Sequence, residues 1–424
     1  LPGVLPPVLA VAPLDHPIEA VVRPPGSKSL TNRALVAAAL ARGGASRLLG
    51  PLEADDTEVM RQGLRAFGVL IDDAEDPWLV LGTGGALDAP AGVVDAGASG
   101  TTARFLTAVA ALAPGPTTVD GTPRMRERPI EELAAALSGL GVEVTTAGGF
   151  PPVTVSGGGL RGGEVTVETS RSSQFLSALL LVAPLASGPV TIRPAGPMVS
   201  APYVTSTLEV MMAFGAGVEE TGGGWRVAPT GYRTTHFEIE ADASAAAYPL
   251  VAAAVAGGVV GVEGIPPGST QADLRLVEVL ERMGCSVLHG PARLVLAGPS
   301  ARLRGVDEDM GSAPDATLAL AVACLFADGP SRIRNLATLR HKETDRLAAL
   351  ETELQRVGAV ARVEGDDLVI VPGPLRAARV ETYQDHRMAM AFALVGLRVP
   401  GIEIVDPACV AKTWPGYFEL LERL

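Results

Sequence analysis

Residues 105–144, FLTAVAALAPGPTTVDGTPRMRERPIEELAAALSGLGVEV, carry the pattern that decides the fold. An Ala-rich apolar stretch ends at the Pro114-Gly115 turn. A β-branched run follows, Thr117-Thr118-Val119, and then a polar loop. Next comes an amphipathic helix, in which positions 130, 133, 134 and 137 share one apolar face. A Gly141-x-x-Val144 step leads into another strand. The same order recurs in residues 35–71, LVAAALARGGASRLLGPLEADDTEVMRQGLRAFGVLI, and in four later copies. Turns at Gly44, Gly115, Gly188, Gly258, Gly329 and Gly401 mark six units spaced about 70 residues apart. Helical periodicity returns at positions 276, 277, 280 and 283. Val165-Thr166-Val167 and Val190-Thr191-Ile192 read as strands.

A unit of about 70 residues holds a marginal core alone, so neighbouring units must pack together. The chain of 424 residues exceeds what one core serves, and three units per domain gives two similar domains. The expected class is α/β, with Ala-rich helices buried and charged helices on the solvated face. A solenoid of six stacked repeats is disfavoured, because the period exceeds that of the usual solenoids.

Hydrophobic residues make up 47% of the chain and aromatics 4%, so small aliphatic side chains fill the cores. The net charge of -13 argues against a nucleic-acid or membrane-surface binder, since both need a basic face. A few cations focused in a cleft still suit a small anion. Cys285, Cys324 and Cys409 are scattered and form no CxxC, which argues against a disulfide framework or thiolate metal site and fits a reducing compartment. The start, LPGVLPPVLAVAPLDHP, lacks a basic segment and is broken by prolines, unlike a signal peptide. No apolar run is long enough to span a bilayer. The expected location is the cytoplasm.

The unusual residue groupings fall in loops and helix starts. Pro25-Gly26-Ser27-Lys28-Ser29-Leu30-Thr31-Asn32-Arg33 combines glycine, hydroxyls and two cations at a helix start, which suits an anion. It equally fits an ordinary capped helix, and it is not a Walker A loop. Gly97-Ala98-Ser99-Gly100-Thr101-Thr102 also opens an apolar helix, and taken alone an ordinary loop and N-cap is its better reading. Pro123-Arg124-Met125-Arg126-Glu127-Arg128 places three Arg in five residues. Ser172-Ser173-Gln174-Phe175 offers three hydrogen-bonding side chains. Pro197 to Tyr203, Pro314-Asp315-Ala316, Arg340 to Arg346, Asp385-His386-Arg387 and Ala411-Lys412-Thr413 complete the set. Each is modest alone, but all recur at corresponding places in the repeat. If both domains face one cleft, Lys28, Arg33, Arg128, Lys342, Arg346, Arg387 and Lys412 could line it. Two like charges about 4 Å apart cost roughly 4 kcal/mol at an effective dielectric near 20. Such a gathering implies a ligand with several negative charges, and phosphate is the natural candidate.

The segments PGSKSLTNR, GASGTTARF, PRMRERPI, SSQF, PDA, RHKETDR, DHRMAM and AKTWP resemble, in order, the signatures of the shikimate-3-phosphate enolpyruvyl transferases. The resemblance covers nearly the whole chain. It implies two domains, each of three βαβαββ repeats packed around buried helices, with residues 24–240 in one domain and residues 1–23 and 241–424 in the other. The active site would lie in the cleft between them. The implied reaction transfers the enolpyruvyl group of phosphoenolpyruvate to the 5-hydroxyl of shikimate 3-phosphate and releases phosphate, by addition and elimination through a tetrahedral intermediate.

Residue by residue, the resemblance implies that Lys28, Gly100, Thr101, Arg128, Gln174, Arg346, Arg387 and Lys412 meet phosphoenolpyruvate. It implies that Lys28, Ser29, Arg33, Ser172, Ser173, Gln174, Ser200, Tyr203, Asp315 and Lys342 hold shikimate 3-phosphate. Asp315 is the expected base on the hydroxyl, and Lys28 and Glu343 are the candidates for proton transfer at the methylene carbon. No metal, organic cofactor, nucleic acid or membrane partner is implied, and a monomer is expected. The space beside Gly100 makes glyphosate an expected inhibitor. The sequence departs from the family pattern at Ser99, commonly Asn, at Phe105, often Pro, and at Thr338, Asn in some members. Two rivals remain at this point. One is a sibling transferase acting on UDP-N-acetylglucosamine, which would show a GAKN-type start and usually a loop cysteine. The other is an inactive anion-binding homologue, against which the retention of Lys28, Asp315, Glu343, Arg387 and Lys412 argues.

Overall fold

A computed structural model describes residues 5–424 and divides the chain into two compact units. The first unit is Gly26–Ile239; the second joins the segment up to Pro25 with Glu240–Leu424. The breaks lie within two residues of the expected 23/24 and 240/241. Residues 1–4, part of the stretch judged unlike a signal peptide and of the segment expected in the second domain, lie outside the described residues.

Among the described residues the α-helices are, in chain order, α1 Lys28–Ala39, α2 Asp55–Ala66, α3 Gly100–Ala110, α4 Glu131–Gly139, α5 Gln174–Val182, α6 Pro202–Ala213, α7 Ala243–Ala256, α8 Arg275–Arg282, α9 Thr317–Cys324, α10 Arg346–Arg356, α11 His386–Gly396 and α12 Tyr417–Leu421. The repeat is clearest in residues 163–227. Strand Gly163–Glu168 leads to α5, strand Val190–Ala195 to α6, and the hairpin Val218–Thr221/Gly224–Val227 closes the unit. The first two strands pair in parallel, Gly163 opposite Val190, and the hairpin adds antiparallel strands. This is the βαβαββ unit that the resemblance implied.

Two strands are exchanged along the chain. His236–Glu238, late in the first unit, pairs in parallel with Ala45–Leu49 and supplies the leading strand of that unit's first repeat. Ile18–Val22 does the same for the second unit, alongside Gly258–Glu263. The N-terminal strand Val8–Val11 runs antiparallel to Ile402–Val405, whose other neighbour is Ala378–Val380. It fills the place a hairpin strand takes in the other repeats, and so completes the last sheet.

In each unit one helix per repeat is inner. Helices α1, α3 and α5 touch one another in the first unit, as do α7, α9 and α11 in the second. Every residue of α7, α9 and α11 is buried, as is Leu30–Ala39 of α1. A helix apolar on all sides has to be buried, and alanine lets three such helices pack closely. Each larger side chain among them, such as Leu176 or Leu320, gains roughly 1.5–3 kcal/mol from burial. The other helices are amphipathic. The apolar positions read at 130, 133, 134 and 137, and at 276, 277, 280 and 283, are all buried. No described helix is long and apolar enough to cross a membrane.

Close backbone approach places the start of α1. A Cβ on Gly26 would stand 2.0 Å from the Gly50 carbonyl oxygen, so only glycine lets the chain pass the 50–52 turn and deliver Lys28 to the helix start.

Candidate active site

The inner helices begin where the unusual loops lie. In the second unit these starts are joined by charge. Asp385 caps α11 by accepting from the Arg387 amide at 2.9 Å. The Asp385 carboxylate, fully buried, also takes both Nε and Nη2 of Arg346, at 2.7 and 3.1 Å. Arg346, 1% exposed, opens α10 and gives its remaining donors to Asp315 at 2.9 Å and Glu343 at 2.8 Å. Asp315 further meets Lys342 at 3.2 Å and Arg387 at 3.1 Å. Lys412 stands 4.0 Å from Glu343. Five residues expected at the site, Asp315, Lys342, Glu343, Arg346 and Arg387, are thus linked directly by charge, with Lys412 at the edge.

The network explains how such charges survive burial. Desolvation works against the Arg346 guanidinium, but Asp385, Glu343 and Asp315 more than offset it and hold its pKa above the ordinary range. Arg387 behaves likewise, with desolvation outweighed by Asp315, Tyr248, Asp273 and Asp242. Asp273 lies behind this cluster, buried, in a 3-10 turn before α8. It accepts from Ser244 Oγ of α7 at 2.5 Å and from the Ala316 amide at 2.9 Å, and so ties α7 to the turn that carries Asp315. Burial first, and then the Asp315 charge, raise the Asp273 carboxyl above its usual range.

In the first unit the helix starts are joined mainly by neutral groups. Lys28 Nζ pairs with Asp56 at 3.0 Å. Arg33, 2% exposed, donates to Thr207 Oγ1 at 2.7 Å and to the carbonyls of Ser29 at 2.9 Å and Tyr203 at 3.0 Å. Its guanidinium lies 5.4 Å from the Phe105 ring centroid, and desolvation lowers its pKa to about 10. Phe105 therefore supplies an aromatic face under Arg33. Ser99 caps α3, accepting from the Thr102 amide and, at 2.9 Å, from the Thr102 hydroxyl. Gln174 Nε2 reaches Thr101 Oγ1 at 3.3 Å, and the Gln174 amide donates to Ser172 Oγ at 3.2 Å. Ser173 is buried just before α5. Ser200 has a left-handed φ of 54°, and its carbonyl accepts from the Tyr203 amide at 3.1 Å.

Gly100 is hemmed in by cations. A Cβ there would fall 2.5 Å from Arg128 Nη2 and 2.7 Å from Arg104 Nη1. The three arginines of the 124–128 loop separate by role. Arg124 and Arg126 form surface pairs with Glu127 and Asp120, at 2.6 Å each, whereas Arg128 is buried beside Gly100. Arg104 is held at the Gly100 and Pro129 carbonyls, at 3.1 and 2.7 Å.

Three acids were not singled out as site residues from the sequence: Asp56, Asp273 and Asp385. Asp385 had a visible signal, an acid at the start of an apolar helix. Asp56 and Asp273 had none, since tertiary packing alone brings them to Lys28 and Asp315. These acids also revise the charge argument. Carboxylates already meet part of the cationic charge that the sequence reading left wholly to a ligand. Among the described residues no cluster of His, Cys, Asp or Glu is arranged to hold a metal ion.

Comparison with known proteins agrees over nearly the full length. The family model described as EPSP synthase (3-phosphoshikimate 1-carboxyvinyltransferase) matches residues 14–421. A 3-phosphoshikimate 1-carboxyvinyltransferase from Trichormus variabilis is 42% identical over 418 residues, covering 97% of each chain. One from Methanoculleus marisnigri is 42% identical over 410 residues, covering 96% of each. Among solved structures, an EPSP synthase from Acinetobacter baumannii superposes with a TM-score of 0.81 at 27% identity, covering 98% of both chains. The enolpyruvyl transferase NikO from Streptomyces tendae shares the fold, with a TM-score of 0.77 at 19% identity over 98% of this chain and 97% of that one.

Proposed function

The chain belongs to the EPSP synthase family, the 3-phosphoshikimate 1-carboxyvinyltransferases, and from that premise we propose how its residues divide the reaction. It is a shikimate-pathway transferase that moves the enolpyruvyl group of phosphoenolpyruvate to shikimate 3-phosphate. Shikimate 3-phosphate is held chiefly by the first unit, through Lys28, Ser29, Arg33, Ser172, Ser173, Gln174, Ser200 and Tyr203. Asp315 and Lys342, of the second unit, belong to the same set. Phosphoenolpyruvate is held by Arg346, Arg387 and Lys412, with Lys28, Arg128, Gln174 and the Gly100-Thr101 backbone. These two sets of residues are the two half-sites of the proposed reaction.

The observation that carries this reading is the Asp315 carboxylate, bonded to Lys342, Arg346 and Arg387 at 2.9–3.2 Å. A base and the cations for an anionic co-substrate stand in one cluster. In the addition step Asp315 takes the proton of the 5-hydroxyl as its oxygen bonds to C2 of phosphoenolpyruvate. The methylene carbon C3 gains a proton from Lys28 or Glu343. In the elimination step C3 returns its proton to the group that gave it, the C2–O bond to phosphate breaks, and inorganic phosphate leaves with the proton that Asp315 had taken. Cations close to the departing phosphate stabilise the charge it develops. The chain acts as a monomer, and glyphosate competes at the phosphoenolpyruvate side beside Gly100.

Phosphate release from purified protein with phosphoenolpyruvate tests the assignment, with shikimate 3-phosphate or UDP-N-acetylglucosamine added in separate reactions. Release is expected with the shikimate ester alone. Release with only the UDP-sugar would leave the fold standing and overturn the substrate. Glyphosate in excess of phosphoenolpyruvate is expected to slow release, and unchanged turnover would remove it as an inhibitor.

A further inference from the structure

Helix α10 grips the segment before α11 at two points, seven residues apart on one face. Arg346, at its first turn, holds Asp385. Glu353, two turns further on, is fully buried. One of its oxygens accepts from the Tyr383 hydroxyl at 2.8 Å. The other accepts from the Glu381 amide at 3.3 Å and from Arg356 Nε at 2.8 Å. Between the two grips, Tyr383 and Gln384 both have left-handed φ values, 55° and 56°. Residues with a Cβ hold that conformation only where their surroundings impose it, and two in succession need firm anchors on both sides. Asp385 and Arg387 follow immediately.

We infer that Glu353 is a positioning residue for the phosphoenolpyruvate site, acting through Tyr383 on the turn that sets Asp385 and Arg387. The inference rests on the assignment of Arg346 and Arg387 to phosphoenolpyruvate. A buried carboxylate needs partners, and Glu353 takes two of its three from the segment that leads into Asp385 and Arg387. Desolvation, and then the hydrogen bond to Glu353, push the Tyr383 phenol up to about 12. The hydroxyl therefore keeps its proton and donates throughout the working range.

Tyr383→Phe removes one hydrogen bond and little volume, and Glu353→Gln keeps the shape while removing the charge. Steady-state kinetics on both variants, with melting temperatures to verify folding, separate positioning from general stability. The expected result is a Michaelis constant for phosphoenolpyruvate raised about fivefold or more, with that for shikimate 3-phosphate changed less than about twofold. Equal changes in both constants, or none, in folded Tyr383→Phe protein would overturn the inference. Arg387→Lys is the reference. If it raises the phosphoenolpyruvate constant while Tyr383→Phe does not, the positioning role fails and the site stands. If Arg387→Lys leaves that constant unchanged, the site assignment falls and the inference falls with it.

Discussion

In the first unit Arg33 and Arg104 give guanidinium hydrogens to backbone carbonyls and a hydroxyl, whereas in the second unit Arg346 gives its own to three carboxylates. Carbonyl and hydroxyl partners bring no opposite charge of their own, which suits the proposed role of the first half-site in holding an anion. Carboxylate partners cancel part of that charge but provide groups that accept and return protons. Binding alone would be served by two half-sites of the first kind. The second kind is what the proposed proton transfer requires.

Asp315→Asn should break this comparison most visibly. It removes the proposed base and leaves a side chain of the same shape, so kcat should fall by about 10²–10⁴, measured as phosphate release by protein shown to be folded by circular dichroism. A loss below about tenfold would make Asp315 a counter-ion, and the two half-sites would then differ in degree only.

Gly100→Ala sharpens the comparison on the other side. The added methyl must displace both the Arg128 and Arg104 guanidinium groups. A raised Michaelis constant for phosphoenolpyruvate is expected, on the order of tenfold or about 1.4 kcal/mol, with weaker inhibition by glyphosate. Unaltered constants would show that those arginines move aside without cost.

Asp273→Asn should produce the smallest effect. The folded-state pKa of Asp273 is raised above the usual value of 3.8. The stability linked to its protonated form is therefore complete below that value and is lost as pH rises through the folded pKa. Asn cannot ionise and keeps an oxygen for the Ala316 amide. The melting temperature of the wild type should accordingly fall relative to the variant between pH 4 and neutrality, by a few degrees. A constant difference across that range would show that burial does not penalise this carboxylate.

Much of the fold was legible in the sequence because the repeat is written in two periodicities, the all-apolar inner helix and the amphipathic outer one. The exchanged strands Ile18–Val22 and His236–Glu238 were not legible from periodicity, since a β-branched run does not name its partner. Only the family resemblance pointed to the crossovers. In the site, Lys28, Asp315 and Arg387 each lie in a loop or helix start that reads as ordinary by itself, and only the family resemblance gave them roles. Asp56 and Asp273 were not singled out, because their partners are distant in sequence. The Arg124-Arg126-Arg128 run shows the limit most clearly. Three arginines alike on paper become two surface ion pairs and one buried neighbour of Gly100 once the loop folds.

The division of labour between the half-sites is tested most directly by calorimetric titration of shikimate 3-phosphate, without phosphoenolpyruvate, into Ser172→Ala and Arg387→Lys proteins. Ser172→Ala should weaken binding about fivefold or more, the loss of one hydrogen bond at roughly 1 kcal/mol, while Arg387→Lys should leave it within about twofold. Equal weakening in both variants, or weakening in Arg387→Lys alone, would contradict the assignment of that substrate to the first unit.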